Sequence, residues 1–189
     1  MKLDFINFEI KTDRLILRPY NHEDYPNWYQ QFDHRLPSQH KYDDGRPSNM
    51  FTYTEEWFTN RINGYNQSAK EDKMYNLGIF RQDDGVNVGK IEVFTILRMD
   101  YHWGMMGYSI HNQFWRKGYG RESVVAATEG FFTDFNFHRI ELHINTDNHP
   151  SILLAEKAGF NFECERKAFS YENDKWTDFL IYHKNRGDK

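Results

Sequence analysis

Apolar and polar residues alternate in period two along several segments of the chain, while other segments carry apolar residues three and four positions apart. The first pattern is typical of strands, and the second is typical of helices that bury one face. Leu15 and Leu17, for example, should share one face of a strand that ends at Pro19. In the first half, the patterns predict a strand at 13–19, a helix from Asn21 or Asp24 to about Phe32, a helix from Thr52 to about Tyr65, and strands at 74–81, 88–97 and 103–110.

Local signals indicate how these segments begin and connect. Thr52 and Glu55 have the spacing of a capping box, in which two side chains satisfy backbone N–H groups at a helix start. Residues 83–85, Asp-Asp-Gly, are typical of a hairpin turn. Because the connections on both sides of this turn are short, the strands between residues 74 and 110 should form an antiparallel meander.

Two polar segments predict loops. Residues 34–50 carry proline, glycine and serine without periodicity, which makes a long loop for a compact domain. Loops of that length tend to be functional or mobile, so we expect this one to border the substrate cleft; a disordered surface segment is the alternative. Residues 66–73 are also polar and are predicted to be a loop.

The second half of the chain predicts a helix between two strands. Apolar residues at helical spacing indicate a helix with a buried face at 121–135. Residues 138–144 alternate like a strand, which should run parallel to the strand before the helix because a helical crossover joins the two. A short helix at 150–158 and strands at 160–169 and 175–182 follow. The predicted fold is α/β, with a mixed, mostly antiparallel sheet, a parallel pair about its centre, and helices on both faces.

The composition narrows the class of protein. The 189 residues suit a single domain, 1–189, and 24 basic against 28 acidic residues give a net charge of −4, which argues against a general nucleic-acid binder. No apolar run reaches the roughly 18 residues of a membrane span, and the N-terminus lacks a signal-peptide pattern. The single cysteine, Cys164, excludes an internal disulfide and a cysteine-based zinc cluster, and no metal is expected. These features predict a cytoplasmic enzyme or ligand-binding domain that does not bind membranes.

Residues 107–121 combine a strand, a basic glycine turn and the start of a helix. The first N–H groups of a helix lack intrahelical partners, and the helix dipole favours negative charge there. Gly118 and Gly120 allow backbone to approach a ligand closely, so a phosphate or pyrophosphate is the expected guest. An ordinary strand-to-helix turn is an equally good interpretation of these residues alone. A Walker A loop does not fit because Arg121 and Glu122 follow Gly120, and a dinucleotide fingerprint does not fit the antiparallel strands that precede the turn.

Four stretches carry a family pattern together. They are residues 12–19 (Thr-Asp-Arg-Leu-Ile-Leu-Arg-Pro), residues 107–120 with their Gly-Tyr pair and glycine turn, residues 148–151 (Asn-His-Pro-Ser), and residues 156–160 (Glu-Lys-Ala-Gly-Phe). In this order and spacing they resemble the GNAT superfamily of acetyl-CoA-dependent N-acetyltransferases. They are most similar to its RimJ/RimL-like branch, which acts on ribosomal-protein N-termini. The resemblance implies a single N-acetyltransferase domain whose parallel strands splay around the coenzyme.

The resemblance also implies a role for each matched stretch. Backbone groups on the strand would pair with the pantetheine arm of acetyl-CoA, the co-substrate, like an added strand. Amides of the glycine turn would hold the pyrophosphate. An asparagine at the next helix start would hold the pantetheine or adenosine side, and a serine would lie near the coenzyme sulfur. The implied coenzyme contacts are Ser109, Ile110, Arg116, Lys117, Gly118, Tyr119, Gly120, Arg121, Asn148 and Ser151.

Three positions depart from the superfamily pattern. Trp115 stands where the coenzyme loop usually begins with glutamine or arginine, a place where this branch tolerates an aromatic residue. Met105 stands where many relatives carry a glutamate that serves as general base. Ala155 stands where many relatives carry a tyrosine that serves as general acid. The usual acid and base are therefore both absent.

Acetyl transfer to an amine needs a neutral amine, a polarised thioester carbonyl and protonation of the departing thiolate. The resemblance suggests direct transfer in a ternary complex. Ser151 is the candidate proton donor on the thiol side, although it is equally well interpreted as a residue that satisfies a helix-end N–H. Glu92 is the candidate base, with His111 and a water relay as alternatives, although solvated surface residues are the more common interpretation of both side chains. Cys164 is interpreted as strand packing and receives no role.

The acceptor site is less defined. Asp43 and Asp44, in the long loop, would suit a cationic amine. Aromatic residues at helical spacing would also suit an acceptor pocket but are interpreted as core: Trp28, Tyr29, Trp57 and Tyr65. The acceptor would be a peptide or a small-molecule amine, and the protein would be a monomer or homodimer. Two other classes stay open, namely a non-catalytic acyl-CoA sensor on the same fold and a nucleotide-binding α/β protein.

Overall fold

The computed structural model describes residues 5–188. Eight strands form one sheet in the order β1-β2-β3-β4-β5-β6-β8-β7, and four α-helices pack on it. The strands are β1 (Ile10–Lys11), β2 (Leu15–Arg18), β3 (Met74–Arg81), β4 (Asn87–Leu97), β5 (Trp103–Ile110), β6 (Arg139–Asn145), β7 (Asn161–Glu172) and β8 (Lys175–Asn185). The helices are α1 (Tyr25–Asp33), α2 (Glu55–Lys70), α3 (Tyr119–Thr133) and α4 (His149–Lys157).

The predicted mixed sheet is confirmed. The strands β3, β4 and β5 form the expected antiparallel meander, and β5 pairs with β6 in parallel after the α3 crossover. This parallel pairing covers three positions, Trp103 to Met105 on β5 against Arg139 to Glu141 on β6. Beyond Met105 the pairing stops, so the last residues of β5 have backbone groups on the β6 side that are open to another partner.

Helices cover both faces of the sheet, as predicted. Leu77 of β3 belongs to the main core, which packs against α3 and α4, whereas Phe80 of the same strand belongs to a second, mainly aromatic cluster against α1 and α2. Trp28, Tyr29 and Trp57 lie in or against this second cluster, which confirms their interpretation as core. Among the described residues, no helix is long and apolar enough to cross a membrane.

The predicted start and end of α2 are wrong. Thr54, not Thr52, caps this helix, and its side chain accepts the Trp57 N–H at 3.2 Å. The helix then continues to Lys70, so most of the loop predicted at 66–73 is helical. The reason is tertiary: Ala69 is buried in the main core, and this contact extends the helix through a polar stretch whose composition alone favours a loop.

Candidate active site

A cavity of about 700 Å³ lies between the end of β5, the turn before α3, the start of α4 and the loop after α1. Nine of the ten residues that the sequence predicts at the coenzyme line it: Ser109, Ile110, Arg116, Gly118, Tyr119, Gly120, Arg121, Asn148 and Ser151. The tenth, Lys117, is not among the lining residues, and its ammonium lies 5.4 Å from the ring centroid of Phe114. The fold therefore brings together two stretches that are about thirty residues apart in sequence.

The turn before α3 depends on left-handed backbone. Gly118, the residue before the helix, has φ +84° and ψ −2°, a conformation that side chains with a Cβ rarely adopt. This turn sets the first residues of α3 against the cavity, where first-turn N–H groups lack intrahelical acceptors. At Gly120, an added Cβ would come within 2.7 Å of Leu154 Cδ1, so the glycine allows α4 to approach α3 closely.

Charged and polar side chains just before β2 hold the same turn. Arg14, just before β2, donates to the Lys117 carbonyl oxygen at 3.0 Å and to Glu122 Oε2 at 2.8 Å. Thr12 donates from Oγ1 to Glu122 Oε1 at 2.6 Å. Burial alone would raise the pKa of Glu122, but these bonds outweigh it and hold the pKa below its usual value. The motif at residues 12–19 carries the family resemblance, but the sequence does not predict that Thr12 and Arg14 hold the glycine turn.

Ser151 contacts a tyrosine. Its Oγ lies 2.7 Å from the Tyr108 hydroxyl oxygen, which also lies 3.2 Å from the Ser151 carbonyl oxygen, so the single Tyr108 hydrogen can be donated to either atom. The helix cap is Asn148, whose side chain accepts the Ser151 N–H at 3.4 Å, so the interpretation of Ser151 itself as a cap is wrong. Burial raises the pKa of Tyr108 to about 12, so the phenol keeps its hydrogen at neutral pH. Tyr108 was missed as a site residue, although it is the second residue of the Gly-Tyr pair.

Trp115 joins the two sides of the cavity. Its indole Nε1 donates to the Ile110 carbonyl oxygen at 2.7 Å, and its ring stacks on His40 of the long loop with 5.2 Å between centroids. A carbonyl oxygen has two lone pairs, so Ile110 keeps one for a ligand. The Trp115 side chain thus connects the end of β5 with the long loop at the cavity.

The long loop borders the cavity, as expected. Its lining residues are Arg35, Leu36, Gln39, His40, Tyr42, Asp43 and Asp44. Within residues 34–54 there is neither helix nor strand, and side chains from elsewhere hold the segment. Asn112 accepts the Leu36 N–H at 2.7 Å and donates to the Leu36 carbonyl at 2.8 Å and to Asp43 Oδ2 at 3.0 Å.

Asp43 stabilises the backbone of the long loop. Its carboxylate accepts backbone N–H groups of Gln39 at 2.8 Å and of Gly45 at 2.9 Å, besides the amide of Asn112. Burial alone would raise its pKa, but these hydrogen bonds together lower it below the usual value. Asp44, the other acidic residue predicted for the acceptor, also lines the cavity.

His111 is neither a solvated residue nor a base in the cavity. It is 2% exposed, and its Nδ1 accepts from Arg35 Nε at 2.8 Å. The neutral ring must then carry its hydrogen on Nε2, which lies 3.3 Å from Asn87 Oδ1. Burial first, and then the charges of Arg35 and Lys90, lower the pKa of His111 to about 3. The residue connects β4 and the long loop, and its role is structural.

Glu92 lies away from the cavity lining. It is on β4, directly opposite Gly107 of β5, and its Oε1 accepts from Asn76 and from Lys90, each at 2.8 Å. At Gly107 an added Cβ would meet no heavy atom within 4 Å. Because cross-strand partners point to the same face of a sheet, Glu92 borders this open space, on the face opposite to Tyr108.

Comparison with known proteins assigns the family. A model described as an acetyltransferase (GNAT) domain matches residues 14–161. A probable N-acetyltransferase of Bacillus subtilis, YjcK, is 30% identical over 129 residues, which cover 68% of this chain and 71% of that protein. The ribosomal protein uS5-alanine N-acetyltransferase of Escherichia coli is 24% identical over 174 residues, 91% of this chain and 88% of that one.

A solved structure extends the likeness to the fold. Mycobacterium smegmatis RimJ in complex with CoA-disulfide has a TM-score of 0.74 at 18% identity, covering 90% of this chain and 81% of its own. The family match spans well over half of the chain and includes β2, the glycine turn and the start of α4. This protein belongs to the GNAT acetyltransferase family.

Proposed function

We propose that this protein transfers an acetyl group from acetyl-CoA to a primary amine, directly and within a ternary complex. The observation that carries the proposal is that nine of the ten residues predicted to bind the coenzyme line one cavity. These residues come from a strand end, a glycine turn and a second helix start, three features that suit one long anionic ligand. The volume, about 700 Å³, is in the range of small-molecule sites.

The coenzyme would lie along the wall formed by β5 and the glycine turn. The N-terminus of α3, with Arg116 and Arg121 beside it, favours the pyrophosphate because the helix dipole and both guanidinium groups are positive there. Among the described residues, the last part of β5 has no strand partner on the β6 side. The backbone groups of Ile110 point to that side and can pair with the pantetheine amides as a neighbouring strand would, with Ser109, whose backbone faces β4, beside them. This arrangement would bring the thioester towards Ser151.

The amine would approach from the other face of β5. The open space at Gly107 lies beside Glu92, which we propose takes the proton of the amine, directly or through water. Ser151 would donate a hydrogen bond to the departing sulfur on the thiol side. Since the named relatives include an enzyme that acetylates an alanine of a ribosomal protein, a peptide N-terminus is one acceptor class and a small-molecule amine is the other. The proposed setting is the cytoplasm, for a monomer or homodimer.

A second candidate is a non-catalytic acyl-CoA sensor. Neither Met105 nor Ala155, at the positions where relatives carry base and acid, can exchange a proton, and Ala155 is fully buried. A sensor would bind acetyl-CoA through the same cavity without turnover. The two functions therefore differ in catalysis and agree in binding.

The test is release of the coenzyme thiol from acetyl-CoA in the presence of a panel of amines. The panel holds peptides with different N-terminal residues, polyamines, aminoglycosides and amino acids. Ser151→Ala and Glu92→Gln are compared with Ser68→Ala, which changes a hydroxyl on α2 that donates to the Gly64 carbonyl and is remote from the cavity lining. We expect amine-dependent release that both site variants lower by about 10²-fold or more and that the control leaves unchanged.

Each other outcome has a definite meaning. Turnover that is unchanged in Ser151→Ala would keep the acetyltransferase and contradict the role of that serine, and the same holds for Glu92→Gln. Tight binding of acetyl-CoA without release for any amine would favour the sensor. Binding of ATP or a nicotinamide dinucleotide in place of acetyl-CoA would overturn both candidates.

A further inference from the structure

We propose that Tyr108 is a positioning residue for the transfer: its hydroxyl holds Ser151 so that the serine hydrogen points at the coenzyme sulfur. This inference rests on the proposed function and assigns a role to a side chain that is absent from the predicted coenzyme contacts and from the predicted catalytic residues. Its basis is the 2.7 Å contact between the two hydroxyl groups, both of which line the cavity.

The two hydroxyl groups together have two hydrogens, so they can donate only two hydrogen bonds. Each hydroxyl has one hydrogen and can accept as well as donate. If Ser151 donates to Tyr108 and Tyr108 donates to the Ser151 carbonyl at 3.2 Å, both hydrogens are used within the pair. If Tyr108 instead donates to Ser151 Oγ, the serine hydrogen is available to the cavity. A sulfur that gains negative charge as the thioester breaks favours the second arrangement, because it attracts that hydrogen.

Relative acidities favour a positioning role for Tyr108 over net proton donation. The pKa of Tyr108 is about 12, whereas an ordinary thiol has a pKa of about 8.5. A thiolate is therefore a weak base relative to the anion of this phenol, and weaker still relative to that of a serine hydroxyl, so both hydroxyl groups stabilise the thiolate through hydrogen bonding. Tyr108 acts by orienting a hydrogen bond and not by giving up its hydrogen.

The transfer step balances on this basis. The amine nitrogen forms a bond to the carbonyl carbon, the carbon–sulfur bond breaks, and its electron pair stays on sulfur. The thiolate accepts a hydrogen bond from Ser151 and later takes up a proton from solvent. The proton released by the amine leaves on the opposite face of β5, where Glu92 borders the open space.

The fold holds Tyr108 in a fixed place. The residue belongs to a paired part of β5, opposite Ile91 of β4, and its ring packs against the main core. A phenylalanine would keep the ring contacts and remove only the hydroxyl. The substitution Tyr108→Phe is thus a specific test of the hydrogen bond.

The first measurement is a kinetic double-mutant cycle with Tyr108→Phe, Ser151→Ala and the double variant. We expect Tyr108→Phe to lower kcat about 10- to 100-fold while KM for acetyl-CoA stays within about twofold, since removal of one donor from a developing anion has effects of this order. In the Ser151→Ala background the same change should have no further effect, because Tyr108 acts through Ser151. Tyr171→Phe, an exposed tyrosine on β7, is the matched control and should retain wild-type rates.

The second measurement does not need an acceptor. The thiolate absorbance of bound coenzyme A is followed against pH in the wild type and in Tyr108→Phe. A hydrogen bond to the charged form lowers a pKa, so the bound thiol of the variant should titrate about one unit higher than that of the wild type. Tyr171→Phe should not shift the titration.

These outcomes separate this inference from the proposed function. Wild-type turnover with unchanged kcat in Tyr108→Phe, or effects of the two substitutions that multiply in the double variant, would overturn the role of Tyr108 and leave the acetyltransferase intact. An unshifted thiol titration would overturn it as well. Absence of turnover in the wild type together with a shifted titration would overturn the proposed reaction and support the hydrogen bond.

Discussion

The two walls of the cavity are built in different ways. The coenzyme wall is one continuous stretch, 109–121, in which strand, glycine turn and helix follow each other and present backbone groups. The loop wall, residues 35–44, has no regular structure and is held by side chains that lie about seventy to a hundred residues away along the chain. The first wall is continuous in sequence, although Arg14 also holds its turn from a distance, whereas the irregular backbone of the second wall is held by side chains from distant parts of the chain.

The difference also concerns what each wall can recognise. Backbone amides and a helix N-terminus suit a ligand part that never changes, such as a pyrophosphate. Irregular segments held by side chains tolerate substitution more readily than the elements around them, so they are suited to a variable ligand. This division predicts that changes in the loop wall alter the acceptor preference before they alter coenzyme affinity.

The largest effect is expected for Asn112→Ala. The change removes four hydrogen bonds to the loop, namely those to the Leu36 N–H, the Leu36 and Pro37 carbonyl oxygens and Asp43 Oδ2, at a residue that is 5% exposed. We expect the free energy of unfolding to fall by about 2–4 kcal/mol. Urea denaturation measures it, and Asn63→Ala, at an exposed position of α2, is the control. A loss equal to that of the control would mean that the loop holds without Asn112.

The next effect is a pH dependence at His111, whose pKa is about 3 when folded and 6.5 in the reference state. Above pH 6.5 neither state binds the proton, and between pH 6.5 and 3 only the unfolded chain does. The free energy of unfolding therefore decreases as the pH is lowered through this window, by about 2 kcal/mol between pH 6.5 and pH 5. The groups that face the ring are Arg35, Asn87, Lys90 and Phe32.

The variant His111→Gln isolates this contribution. It lacks the titrating group, so its stability should fall less than that of the wild type as the pH is lowered from 6.5 to 5, even if it is less stable at neutral pH. Urea denaturation at several pH values gives the two slopes. Parallel slopes would show that His111 does not hold its low pKa.

A smaller effect is expected on the coenzyme wall for Arg14→Gln. The change removes the charged contacts to Glu122 and the Lys117 carbonyl, so the turn is less well held and the Kd for acetyl-CoA should rise about tenfold. Arg18→Gln, at the other end of β2, is the matched control, because its guanidinium pairs with Asp24 and not with the turn. Isothermal titration compares the two, and an equal loss of affinity in both would contradict a specific role of Arg14.

The smallest effect is expected for Tyr42→Phe. Tyr42 hydrogen-bonds Asp147 at the loop before α4, and Lys41 reaches the same carboxylate at 3.0 Å, so one contact remains after the change. Both contacts are exposed, and we expect KM for the amine to change by about twofold, with a difference that shrinks at high salt. Steady-state kinetics at two ionic strengths measure this, and a large change that is insensitive to salt would show that the contact closes the cavity.

The two walls also differ in how far sequence alone predicts them. The alternation in β3 to β6, the parallel crossover and the glycine turn follow from local spacing, and they were predicted within a few residues. The burial of His111 could not be predicted from the sequence, because it depends on contacts with Arg35 and Asn87, which belong to other elements. The contact of Tyr108 with Ser151 joins residues 43 positions apart and likewise leaves no local signal.

Other differences have the same origin. The end of α2 was missed because burial of Ala69 in the main core outweighs a polar local composition. Glu92 lies outside the cavity lining. Strand alternation predicts which face of the sheet its side chain is on, but it does not predict which cavity lies next to that face. Periodicity thus identifies elements and faces, and only tertiary contacts identify neighbours.

The contact between Arg14 and Glu122 has a consequence for folding. The two residues are 108 positions apart, so closing this contact costs considerable chain entropy and requires the intervening strands to be paired. The anion-binding turn should therefore become ordered late, after the sheet has assembled. A ligand that binds there binds only the completed native state, and the denaturation midpoint should rise steadily with acetyl-CoA concentration. Coenzyme binding can therefore be used to measure the fraction of molecules in which this turn has become ordered.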